Sequence, residues 1–311
     1  MTDQIDHGVD RGAYEGLVEA DDDSRWAFGT GFDDPLAGVD TTMPAGVDGG
    51  DLATYCLMLA DDALVMSQRL AQWSTRAPEL EEEVALANIG LDLLGQARLL
   101  LARAAAADPS VLPSLPDGSP VPAEDALAFF RDEMDFRNVR LVELDNGDFA
   151  RTVLRLLVFS AWRLALLQRL RASRDTVLSA VAGKGVKEVT YHRDYAARWV
   201  VTLAQGTPES RRRTVAALTS VWPYVGELLD AHPVEKRLAD DSVAVDPASM
   251  RAELHGVLGE VLVAADLAAP DGPTATAVAG RSGRDGLHTE AMGPLLAQMQ
   301  VVARAHPTGL W

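Results

Sequence analysis

Asn88, Asp92 and Gln96 stand four residues apart in a stretch that is otherwise almost wholly apolar. That spacing puts all three on one face of a helix. A carboxylate and two amides in such a row could hold a metal, move a proton or close a buried polar network. A second set, Glu188, Tyr191 and His192, falls within one turn of a later helix, where Glu188 and His192 can touch. Asp62 flanks the apolar seam of an earlier helix, with Asp61 further round. Asp62, Asp92, Gln96, Glu188 and His192 are therefore the residues that could meet inside a helical bundle.

A di-iron centre in a four-helix bundle needs Glu-x-x-His on two helices, because ligands at i and i+3 share a face. The six histidines are His7, His192, His232, His255, His288 and His306, and none follows a Glu by three residues. Between His7 and His192 there is no imidazole at all. No metal ligands and no catalytic residues are expected in this chain. The five polar residues read as a vestigial cluster, closed by Arg, Tyr or water and holding the bundle in register. The alternative is a stand-alone metalloenzyme with atypical ligands among Asp62, Asp92, Glu188 and His192.

Two other stretches could meet a small anionic ligand. Asp135, Phe136, Arg137 and Asn138 set an aromatic ring beside planar donors, suited to a base or a phosphate. Gly280 to Arg284 is a basic, glycine-rich run in an acidic chain. Asp285 and His288 form a weak pair of potential ligands at i, i+3. No phosphate-binding loop, dinucleotide fingerprint, nucleophile elbow or haem-attachment motif is present.

The elements that must position these residues are all helical. Leu52, Cys56, Leu59, Ala63, Met66, Leu70 and Trp73 step by fours and threes, which predicts a helix from Asp51, as its cap, to about Ser74. A second helix follows from Pro78 to Ala107, with Glu79, Glu81, Glu82 and Glu83 at its positive end; apolar on most sides, it is expected to be central. Pro109 to Pro122 is a loop. Further helices are expected at about Ala123–Leu144, Phe149–Arg171, Asp175–Gln205, Thr207–Leu229 and Asp246–Leu267, with a last one after Gly293-Pro294. Gly183 and Gly185 either loosen their helix or admit a neighbour closely. The pattern predicts an all-α, ferritin-like four-helix bundle, with core hairpins at about 51–107 and 149–205 and additional C-terminal helices.

Composition narrows the function classes. A formal net charge of −18 disfavours nucleic acid and anionic membranes as partners. Residues 1–50 hold twelve Asp or Glu against two Arg, so this segment reads as an acidic, disordered extension, and 51–311 as the folded domain. Its aromatics, Trp26, Phe28 and Phe32, could dock on a groove. Apolar runs broken by charge argue against a membrane span, and the first residues lack a signal region, so a cytoplasmic protein is expected. The single cysteine, Cys56, excludes intrachain disulfides and reads as a core residue.

Several motifs occur together and in order: Ala77-Pro78-Glu79-Leu80-Glu81, Ala85 to Arg98, Arg131-Asp132-Glu133, Phe136-Arg137-Asn138, Asn146-Gly147-Asp148-Phe149-Ala150, Lys187-Glu188-Val189 with Tyr191-His192, Val245-Asp246-Pro247 and Gly286 to Glu290. In these the chain resembles the C subunits (PaaC) of phenylacetyl-CoA 1,2-epoxidase, from about Leu52 to Trp311. The resemblance implies a metal-free subunit paired with a homologous catalytic A subunit that carries the di-iron centre. It further implies a complex that inserts one oxygen atom of O2 into the ring of phenylacetyl-CoA, using NADPH electrons through a flavin (FAD) and iron–sulfur reductase subunit. The C subunit would support the A subunit and help form the CoA-ester site, with Asp135 to Asn138 as contacts. The acidic extension and the length of the Pro109–Pro122 loop depart from the pattern. Apolar helices around Trp222 and Val261 are expected to supply the interface.

Overall fold

In a computed structural model, residues 36, 38–272, 274, 277 and 280–309 are described. Most of the acidic segment, with Trp26, Phe28 and Phe32, lies outside them. A compact unit begins at Gly38. Residues 38–48, which charge alone groups with the extension, are tied to it: Arg103 donates to the Thr41 carbonyl (2.6 Å) and Arg174 to that of Ala45 (3.2 Å).

Nine α-helices form among the described residues, and no strand. The first, α1 (Gly49–Ala71), is capped by Asp48, whose carboxylate accepts from the Asp51 amide (2.9 Å), so Asp51 lies inside the helix. After a turn in which Thr75 takes φ 65°, α2 (Leu80–Ala107) returns along α1. The short α3 (Ala123–Phe129) leads through irregular chain to α4 (Phe149–Leu170). Asp175 caps α5 (Thr176–Ala204), which packs back on α4 and also on α2. These two hairpins and their long crossover are the ferritin-like bundle the periodicity predicts. Every residue of the α1 seam is buried, Cys56 included, and burial pushes its thiol far up, leaving it inert.

Outside the bundle, α6 (Pro208–Val221) and α8 (Arg251–Ala264) pack on α4, α7 (Pro233–Asp240) on α1, and α9 (Met292–Ala305) on α3. The helix expected to reach Leu229 stops at Val221, where Pro223 forces tighter turns. The helices expected from periodicity do not include α7, although Pro233 at its start and the reciprocal cap of His232 and Glu235 mark it.

The largest departure is the helix expected over Ala123–Leu144. It ends at Phe129, and the chain continues through 3-10 turns at Glu133–Asp135 and Arg140–Glu143. The cause lies in α1, where Asp61 and Asp62 are both fully buried. Asp61 accepts from the Arg131 guanidinium (3.0 Å) and the Arg137 amide (2.8 Å). Asp62 accepts from the Val139 amide (2.8 Å) and both Nη atoms of Arg284 (3.0 and 2.9 Å). Two buried carboxylates thus take amides that a helix would have used for itself.

Behind them, Glu143 accepts from Asn138 (2.9 Å), the Thr289 amide (2.6 Å) and His288 Nδ1 (2.6 Å), while Glu227 accepts from Arg140 (3.1 Å) and the Gly283 amide (2.8 Å). A Cβ at Gly283 would stand 2.1 Å from the Asn138 carbonyl, so only glycine fits. Within the basic run at 280–284, Arg284 is therefore a buried brace while Arg281 stays exposed, and Asp285 caps its own turn.

Asp62→Ala would remove the one carboxylate that hydrogen-bonds the buried Arg284, leaving only the charges of Glu235 and Glu227 to answer it, a loss of about 3 kcal/mol, measurable by urea unfolding. His288 gives a pH dependence. Burial lowers its imidazole, but the hydrogen bond and charge of Glu143 outweigh this and hold it above the ordinary 6.5. A folded-state value raised in this way gives stability that is full below 6.5 and is lost as pH rises through the higher value. The Tm gap between wild type and His288→Gln therefore narrows above pH 6.5. A gap that widened there would contradict the pairing.

Candidate functional site

The polar row of α2 runs from surface to core: Asn88 is exposed, Asp92 half-buried, Gln96 buried. Facing it, α5 brings Glu188 and His192 one turn apart. His192 Nε2 donates to Asp92 Oδ2 (2.9 Å), and Gln96 Nε2 donates to Glu188 Oε2 (3.0 Å). Two cross-helix pairs thus fix the register of α2 against α5. Asp62 joins neither by hydrogen bond, because its own partners are Arg284 and Val139. Tyr191 is exposed and stacks near Tyr195, with ring centroids 6.4 Å apart.

The residue that closes this network is Arg163 on α4, which spacing along α2 and α5 does not reveal. Its Nε and Nη2 donate to Gln96 Oε1 (3.3 and 3.1 Å), and its Nη1 to the Leu59 carbonyl of α1 (2.9 Å). Through Gln96 it reaches Glu188, so one guanidinium links all four bundle helices. Burial lowers it to about 10, with Asp62 pulling the other way, and it stays cationic at neutral pH. Arg155 and Arg163 stand eight residues apart on the same face of a strongly apolar helix. That pattern was the available signal.

A metal ion would need converging anionic or imidazole donors. Here the carboxylates of Asp62, Asp92 and Glu188 each face a different partner, and a fixed positive charge fills the space between helices. Among the described residues no group of three or more His, Cys, Asp or Glu side chains converges on a common point. The donor set does not fit a di-iron centre.

Asp135 to Asn138, the expected contacts of a CoA ester, lie on the irregular chain after α3. Phe136 and Asn138 are fully buried. The Arg131 guanidinium covers the Phe136 ring at 4.2 Å, and Asn138 donates inward to Glu143. Arg137 folds its guanidinium onto the Met134 and Phe136 carbonyls (2.7 and 3.2 Å), and Asp135 caps the turn at the Asp132 amide (3.1 Å). Phe136 and Asn138 thus face the protein interior, while Asp135 is exposed and Arg137 half-buried.

Gly185 sits where α5 meets this network. A Cβ there would lie 2.9 Å from Leu167 and 3.3 Å from the Gln96 amide, whereas one at Gly183 would meet nothing. Gly185→Ala is expected to cost about 1–3 kcal/mol by overpacking, and Gly183→Ala to be neutral or stabilising. Paired thermal melts distinguish them.

Residues 39–311 match the family described as phenylacetic acid catabolic protein. The chain is also 42% identical over 260 residues to a protein of Escherichia coli (strain K12) named as the C-type subunit of 1,2-phenylacetyl-CoA epoxidase, a span that covers 84% of this chain and 99% of the relative. A fold of paired helical hairpins, a polar row closed by an arginine and a match over nearly the whole folded unit lead to one conclusion: the chain belongs to the phenylacetic acid catabolic protein family.

Proposed function

We propose that this chain is the non-catalytic, C-type subunit of an oxygenase complex that epoxidises the aromatic ring of phenylacetyl-CoA in the cytoplasm. A homologous A subunit would hold the di-iron centre. NADPH, FAD and an iron–sulfur cluster would belong to a reductase subunit. The observation that carries this reading is Arg163. An arginine linking all four helices puts a permanent cation where a catalytic bundle would gather carboxylates around iron, and a guanidinium this basic does not leave at neutral pH. The stand-alone metalloenzyme needs Asp62, Asp92, Glu188 and His192 around one ion, and their partners draw them apart.

A subunit without its own chemistry acts through its surface. Leu80 (72% exposed), Val84 (51%), Leu91 (64%) and Leu94 (43%) form a stripe on the outer face of α2, with Ala87 between them. Their steps of four, three, four and three are those of a helix-packing seam. This stripe is the face offered to the homologous subunit, in preference to Trp222 and Val261, which are partly covered. Help in forming the CoA-ester site would come from the same side, by positioning the partner's helices.

Co-expression with an A-type subunit tests this directly. The pair should co-elute, with oxygen consumption dependent on both chains and substoichiometric iron in this chain alone. Leu91→Glu should weaken the pair at least tenfold, about 1.4 kcal/mol or more, while leaving the Tm of the isolated chain unchanged. Two irons bound by this chain alone and lost on His192→Ala would establish the metalloenzyme instead.

A further inference from the structure

At the start of α4, away from the polar row, a cleft of about 350 Å³ opens between that helix and α6. It is lined by Asp148, Arg151, Arg212, Arg213 and Ser220, with Ala216 and Ala217 keeping its α6 side small. Three arginines on one cleft are unexpected in a chain whose acids outnumber its bases by 46 to 28. Its volume is near the lower end of small-molecule sites, roughly 300–1,000 Å³.

The arginines are set in place and not used up. Glu209 accepts from Nε and Nη2 of Arg212 (2.8 Å each) and from Nε of Arg213 (2.8 Å), which orients both guanidiniums and leaves most of their N–H donors unengaged. The bond to Arg212, then that to Arg213, drives the Glu209 carboxyl down to about 2, so the clamp stays ionised. Asp148 spends one oxygen capping α4 (3.0 Å) and holds the other 3.8 Å from Arg213. The Nε of Arg151 is buried without a hydrogen-bond partner. Behind it Arg155, fully buried and lowered to about 9 by burial with Arg69 and Arg151 close by, adds further positive potential. Asp145, the carboxylate whose charge acts on Arg155, is mostly in solvent (73% exposed).

We propose that this cleft binds the phosphate of a small phosphorylated metabolite, a phosphomonoester or diphosphate, on Arg151, Arg212 and Arg213. Planar guanidinium forks match phosphate oxygens bidentately, and the free Nη groups of Arg212 and Arg213 stand on an open cleft wall. The site rests on this cleft alone and is independent of the subunit reading.

Calorimetric titration of the full chain at low salt with inorganic phosphate, ADP and adenosine tests it. Phosphate and ADP should bind and adenosine should not. Arg212→Ala/Arg213→Ala should weaken ADP at least tenfold; both side chains are exposed, so an unchanged melt shows the fold is intact. Glu209→Gln should tighten ADP several-fold by removing the competing carboxylate. Failure of phosphate and ADP to bind, equal binding by the double variant, or unchanged affinity in Glu209→Gln would each overturn the assignment. So would a poly-aspartate peptide displacing ADP at lower concentration than phosphate does, which would mark a protein contact.

Discussion

Two neighbouring carboxylates on one helix, Asp61 and Asp62, hold together segments that lie far apart in the chain. Both are removed from water, and a buried carboxylate is tolerable only when charges and donors surround it. Successive residues on a helix point about 100° apart. The pair therefore draws on different donors: Asp61 takes Arg131 and the Arg137 amide, while Asp62 takes the Val139 amide and Arg284 from 222 residues further along. The middle of the chain and its C-terminal part are sewn to α1 by this pair.

The same logic repeats in Glu143 and Glu227, which accept from backbone amides and side chains of the irregular segments around them. These segments look like loops and behave as core. Their order comes from charge satisfaction, so removing one partner exposes the full cost of burying the other, whereas an apolar truncation leaves only a cavity. This places Asp62 among the positions least tolerant of change.

Within the bundle, Arg163 replaces converging ligands with a fixed cation, and its bonds to Gln96 and Leu59 give rigidity where a metalloprotein would have a reactive centre. On the outside, α2 leaves an apolar stripe in water. Its length and composition match a membrane-crossing helix, yet its other face packs on α1 and α5 and buries Gln96 and Arg103. A charged, hydrogen-bonded interior and an uncovered apolar outer face are thus the two sides of the same bundle.

The helical class, the two hairpins and the absence of Glu-x-x-His can be read from the amino-acid order alone, because apolar periodicity over many turns and the spacing of ligands are local patterns. The caps of α4 and α5, Asp148 and Asp175, are local in the same way, each accepting from the amide three positions on. Only the tertiary structure decided that Ala123–Leu144 breaks, that Phe136 and Asn138 face inward, that α2 is exposed along Leu80, Val84, Leu91 and Leu94, and that Arg163 closes the polar row. Spacing can mark a buried charge such as Arg163 on an apolar helix, but which distant group answers it, and which apolar face stays uncovered, is settled only when the chain is folded.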